Sequence, residues 1–112
     1  MAFYDLPKED RNTLVKEINS RILLEIKGAR QKSILSYFSD EDTYIRKTAY
    51  LAIGKIYVAE EKLKRKILKL LAGLAGSVNE KIRQTVVNAA GEIGKKDFDP
   101  VEKFSPVEGD QI

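Results

Sequence analysis

A chain of 112 residues, 43% hydrophobic and 33% charged, suffices for one soluble globular domain that buries roughly two thirds of its unfolded surface. It holds no cysteine and no histidine, which excludes disulfides, thiolate chemistry and zinc–thiolate sites and removes the commonest general base. The net charge of +3 hides an asymmetry: residues 1–28 balance five cations with five anions, residues 29–96 carry fourteen cations against seven anions, and residues 97–112 carry five anions against Lys103. A basic body with an acidic tail is the pattern.

Met1-Ala2-Phe3-Tyr4-Asp5 lacks a basic stretch followed by an apolar run, so no signal peptide is expected. No segment approaches the ~18 apolar residues of a membrane span. A cytoplasmic protein without membrane contact is the expectation. Asp5 followed by Pro7 signals a helix start, and Leu14, Ile18, Ile22 and Ile26 recur at intervals of four. This predicts a helix over about 7–27, ended by Gly28. A shorter helix is expected over about 29–39, with Ile34, Leu35 and Phe38 on one face. Ser39-Asp40-Glu41-Asp42 makes a polar turn, and Asp42 caps the next helix, about 43–58. Glu60 and Glu61 open a fourth helix, about 60–75, and its cations follow in the order that the helix dipole favours. Gly76-Ser77 ends it, and Asn79 caps a fifth helix over about 79–94. Short connections predict antiparallel neighbours within one domain, 1–96. Residues 97–112, acidic and proline-containing, read as a flexible tail.

The third and fifth helices repeat one another at a spacing of 37 residues. Ile45/Ile82, Arg46/Arg83, Thr48/Thr85, Ala52/Ala89, Gly54/Gly91 and Ile56/Ile93 are identical pairs, and Asp42/Asn79 is a conservative one. At the same offset Ile34 and Leu35 fall on Leu71 and Ala72, and Phe38 on Ala75. A fixed period of this size marks stacked repeats. Glycine inside a helix costs about 1 kcal/mol relative to alanine, so its recurrence at Gly54 and Gly91 predicts a neighbouring helix crossing close to the backbone at both places.

The pattern Asp-x-x-Ile-Arg-x-x-Ala-x-x-Ala-Ile-Gly-x-Ile at 42–56, echoed from Asn79 to Ile93, resembles the second helix of a HEAT-type repeat. The likeness covers about 29–94. It implies an all-α fold, a short right-handed α-solenoid built from the pairs 29–39/43–58 and 60–75/79–94, with helix 7–27 capping its N-terminal end. In such repeats the arginine at the place of Arg46 and Arg83 pairs with the acidic or amide residue of the turn. Asp42, Arg46, Gly54, Asn79, Arg83 and Gly91 are therefore expected to be structural. An anion-binding arginine pair is the rival reading.

Catalytic arrangements are missing from the sequence. Asp40, Glu41 and Asp42 share a turn with no apolar wall to raise a carboxyl pKa, and that loop has no calcium-loop spacing. Gly73-Leu74-Ala75-Gly76 lacks the lysine and the preceding strand of a phosphate loop. Ser33, Ser36 and Ser77 have no histidine to activate them. No enzyme activity, metal or cofactor is expected.

Two surfaces remain as binding candidates. The second helices of HEAT-type repeats line a concave face that takes up partners, which implies contacts from Tyr44, Lys47, Tyr50, Leu51 and Lys55 and from Gln84, Asn88 and Glu92. This mixed stripe suits a protein or peptide better than a phosphate backbone, and each tyrosine also fits a packing role. The alternative is nucleic acid on the basic stripe Lys62, Arg65, Lys66 and Lys69, with Lys64 off it. HEAT-like repeats also build glycosylases that excise alkylated bases, but without a tryptophan or a matching acid here that activity does not carry over. A last expectation concerns the open end of the stack. Val86, Val87 and Ile93 should stay partly uncovered unless Phe98 and Phe104 fold back or a second copy docks on the C-terminal repeat, and docking of a second copy is preferred.

Overall fold

The computed structural model describes residues 2–97. They form α1 (Lys8–Lys27), α2 (Lys32–Phe38), α3 (Thr43–Ala59), α4 (Lys64–Leu74) and α5 (Glu80–Gly94), with no strand among the described residues. Short 3₁₀ turns precede α1 at Phe3–Asp5 and α4 at Glu61–Leu63. Phe98, Phe104 and the rest of the expected tail beyond Asp97 lie outside the described residues.

Apolar spacing and caps place the helices. Ile18, Ile22 and Ile26 are buried along α1, and Leu14 packs at its edge. Asp42 Oδ1 accepts the Tyr44 N–H at 2.8 Å, and Asn79 Oδ1 accepts that of Ile82 at 3.1 Å. Caps of this kind stabilise by about 1 kcal/mol each. The start of α1 departs from expectation, because Asp5 lies in the 3₁₀ turn and Pro7 takes the cap position without a side-chain bond. The expected second helix is shorter than 29–39, and the side chain at its cap position, Gln31, makes no capping bond. Glu25 of α1 does that work across the turn. Its two carboxylate oxygens accept the N–H groups of Ser33 at 2.8 Å and Ile34 at 2.9 Å. A helix this short is marginal alone, and a carboxylate at the positive end of its dipole ties it to α1.

The sequence repeat reappears as a repeat of hydrogen bonds. Arg46 donates to the backbone carbonyl of Asp40, and Arg83 donates to that of Ser77 at 2.7 Å, 37 residues further on. The Asp42 N–H donates to Asp40 Oδ1 at 2.8 Å, and the Asn79 N–H to Ser77 Oγ at 3.1 Å. The two arginines thus brace their own turns through a carbonyl. That corrects the expected pairing with a turn side chain, since the Asp42 and Asn79 side chains are already taken by helix N–H groups.

α3 and α5 make the most extensive helix–helix contact, α1 packs on α2, α3 and α4, and α2 and α4 both touch α5. Ile34, Phe38, Ile53, Ile67, Leu71, Val86, Ala89 and Ile93 are buried between them. The buried Thr85 hydroxyl lies 3.0 Å from the Phe38 carbonyl at the end of α2 and 2.7 Å from that of Lys81. Its one hydrogen is shared between the two, so the Phe38 carbonyl, a helix-end group without a partner within α2, gains a bifurcated bond.

At the α3–α5 crossing Gly54 is required by close approach, for a Cβ built there would stand 2.8 Å from Glu92 Cβ. Gly91 does not repeat this role. It is exposed, and a Cβ there would meet nothing within 4 Å, because no further helix among the described residues crosses α5 on that side. The expected open apolar flank is corrected too. Val86 and Ile93 are buried at 1% and 0% exposure and only Val87 is half-buried, since α5 turns these residues toward its neighbours. The exposed residues of α5 include the polar Gln84 and Asn88.

The two glycines should respond oppositely to one methyl group. Gly54→Ala is expected to destabilise by about 1–3 kcal/mol through overpacking, whereas Gly91→Ala should stabilise by up to about 1 kcal/mol through helix propensity. Urea unfolding of both variants checks this, and shifts of the same sign would refute the crossing as described.

Candidate functional site

Asp42 holds the N-terminal segment as well as α3. While Oδ1 caps the helix, Oδ2 accepts the Phe3 backbone N–H. Phe3 is thereby buried, and its ring stacks on Tyr44 with centroids 6.4 Å apart. Tyr4 meets Tyr44 edge-on at 4.5 Å, and the Arg11 guanidinium lies 4.9 Å above the Tyr4 ring. Tyr44, 46% exposed, thus spends part of its surface in an aromatic corner with the N-terminus. The Phe3 N–H, assisted by N–H groups of the first turn of α3, holds the Asp42 carboxyl below its ordinary value of 3.8.

The two partner stripes lie side by side. Lys47, Leu51 and Lys55 succeed one another on α3, and Gln84, Asn88 and Glu92 on α5, and the contact of Glu92 with Gly54 brings their C-terminal ends together. There Leu51, Lys55 and Val58 face Glu92, Lys95 and Lys96 across a groove of about 360 Å³. Lys95 Nζ pairs with Glu92 Oε2 at 2.9 Å. Tyr50 is half-buried and packs on the core, so it stands apart from this groove. Besides Lys95 and Lys96, the expected stripes omit Val58, which is 55% exposed. It stands seven residues after Leu51, two turns along the same face, which was the available clue.

Lys62, Arg65, Lys66 and Lys69 are all exposed, with Lys62 in the 3₁₀ turn and the other three on α4. Lys64 is off the stripe as expected. It pairs with Glu61 at 2.7 Å and lies 5.0 Å above the Tyr57 ring. Lys66 Nζ donates to the Lys27 carbonyl at 3.0 Å, at the C-terminal end of α1. The fold also brings Arg30 beside Lys66 and Lys69, on the rim of a cleft of about 410 Å³ floored by Ile26, Leu70 and Gly73. Arg30 could not be placed there from sequence, because it is joined to α4 only by the packing of α1.

Among the described residues no three acidic side chains cluster as a metal site would need, and every buried side-chain nitrogen and oxygen has a hydrogen-bond partner. Asp97 accepts a bond from the Tyr57 hydroxyl at 3.1 Å, and burial, with that carboxylate, pushes the hydroxyl pKa up. No helix among the described residues is long and apolar enough to cross a membrane. Compared with known proteins, the chain matches no family model, no curated protein and no solved structure.

Because the Asp42 pKa is depressed, its contribution to stability is full above the unfolded value and is lost as pH falls through the folded one. Asp42→Asn keeps an oxygen for capping but removes the charge. From about pH 5 to about pH 3 the native protein should therefore lose more stability than Asp42→Asn, measured by denaturant unfolding at each pH. Parallel losses in the two proteins would contradict the role given to the carboxylate.

Proposed function

We propose that the chain is a non-catalytic interaction module, a short HEAT-like solenoid of the pairs α2/α3 and α4/α5 capped by α1, which presents its α3/α5 face to another protein. The solenoid reading is supported by the turn bonds that recur 37 residues apart, Arg46 to Asp40 and Arg83 to Ser77. The binding reading rests on one observation: Leu51 and Val58 line an open groove whose rim carries Lys55, Lys95 and Lys96, with Glu92 already paired to Lys95. An apolar floor inside a basic rim suits a peptide segment that offers one apolar anchor flanked by acidic residues. The second reading, nucleic acid on Lys62, Arg65, Lys66 and Lys69, draws support from their exposure and from the lack of an acidic partner for any of them among the described residues.

A photo-reactive amino acid at Val58 should crosslink one discrete protein in the source cell. The product should vanish when Lys55 and Lys95 are both changed to Glu, and should not form from the same probe at Lys16 on α1. Crosslinking that is indifferent to the probe position would refute the face. Against duplex DNA, the second reading requires log affinity to fall with log salt by about 0.9 per phosphate contact, and a flat response rejects it.

A further inference from the structure

The cleft between the α1–α2 turn and α4 has an apolar floor and a cationic rim drawn from two distant parts of the chain. Its volume, about 410 Å³, falls in the range of roughly 300–1,000 Å³ typical of small-molecule pockets. Three cations stand at its mouth: Arg30 from the turn, and Lys66 and Lys69 from successive turns of α4. Among the described residues none of them is in an ion pair. The acid at the cleft, Glu25, has both carboxylate oxygens engaged by the N–H groups of Ser33 and Ile34 and forms no ion pair with the three cations. Lys66 gives one N–H to the Lys27 carbonyl, which fixes its position and leaves two donors free.

Gly73 lies within α4, where alanine would be the better helix former, yet a Cβ there would meet nothing within 4 Å. Ala29 has φ 55° because it closes α1 in a Schellman turn: its N–H donates to the Ile26 carbonyl at 3.2 Å and the Arg30 N–H to that of Glu25 at 2.8 Å, which sets Arg30 at the cleft. Both line the cleft. The missing side chain at Gly73 leaves backbone bare for a ligand body to approach.

We propose that this cleft binds a small phosphate monoester. Its phosphate would sit against Arg30, Lys66 and Lys69, with Arg30 offering the planar fork that suits phosphate oxygens, and an apolar body would lie over Ile26, Leu70 and Gly73. The proposal is independent of the α3/α5 face, and either can fail alone. It also differs from binding of a nucleic-acid backbone. That reading draws on Lys62 and Arg65 as much as on Lys66 and Lys69, and it has no need of a floor.

Titration of the full chain with inorganic phosphate and with hexyl phosphate, followed by amide chemical shifts, tests it. Hexyl phosphate should bind more tightly than inorganic phosphate by about tenfold or more, since its chain covers the floor. Arg30→Gln and Lys69→Gln should each weaken both ligands by about tenfold. Gly73→Leu should bring hexyl phosphate down to the affinity of inorganic phosphate while leaving the latter unchanged. Lys62→Gln with Arg65→Gln should change hexyl phosphate affinity by less than about twofold, as charges outside the cleft are screened. The proposal falls if neither ligand shifts the amides of the cleft, or if Gly73→Leu leaves hexyl phosphate unaffected. It also falls if the Lys62 and Arg65 changes weaken binding as much as Arg30→Gln, which would indicate a diffuse polyanion surface.

Discussion

The close crossing of α3 and α5 is the constraint on which the remaining packing rests. Gly54 lets the Glu92 backbone region approach to a distance that any side chain would prevent. Once the two long helices are fixed in this way, their flanks form the walls against which α2 and α4 bury Ile34, Phe38, Ile67 and Leu71. α2 is too short to persist alone and is held at both ends by other helices, at its start by Glu25 of α1 and at its last carbonyl by Thr85 of α5. The same crossing sets the two stripes of the proposed partner face side by side. Packing and binding surface therefore share one origin.

Antiparallel packing also sorts the charges. Lys66 reaching the Lys27 carbonyl, Lys64 over Tyr57 and Tyr57 bonded to Asp97 show that the ends of α1, α3 and α5 meet the start of α4 at one edge. Asp40, Glu41 and Asp42 stand at the opposite edge, where Glu41 is 3.8 Å from Lys81 at the start of α5. Three helix C-termini gathered at one edge favour cations there, each by a few tenths to about 1 kcal/mol. That accounts for Lys27 and for the bond made by Lys66. It does not account for the side chains of Arg30 and Lys69, which flank a cleft and make no hydrogen bond to a helix-end carbonyl among those described.

Much of this was legible in the chain because the informative signals are local. Asp42, Asn79, the four-residue spacing of α1 and the 37-residue period mark helix starts, buried faces and recurring turns, all within a few residues of their effect. What could not be read depends on each helix's place in the packing. Gly54 and Gly91 are equivalent in sequence, yet only one has a helix lying on it, since among the described residues α5 has no successor to do for it what it does for α3. Val86 and Ile93 are buried for the complementary reason, as α5 still has α2, α3 and α4 on its inner side. Glu25 capping α2 and Arg30 joining Lys66 are contacts between elements, and no period or spacing announces them.

The sizes of the two surfaces argue for different kinds of recognition. A groove of about 360 Å³ admits one or two side chains, far short of the roughly 800 Å² per partner that a stable protein interface buries. A partner held mainly by Leu51 and Val58 would thus leave quickly, and affinity would have to come from the wider stripe of Lys47, Gln84 and Asn88. For such a partner, the cations Lys55, Lys95 and Lys96 would act chiefly on the rate of encounter with an acidic segment and on its orientation, because exposed charges steer more than they bind. In the cleft between α1 and α4 the balance is reversed. A small ligand there can be enclosed on several sides, and three converging cations matter more to a compact phosphate than to an extended chain, whose charges are spread too far apart to meet them together.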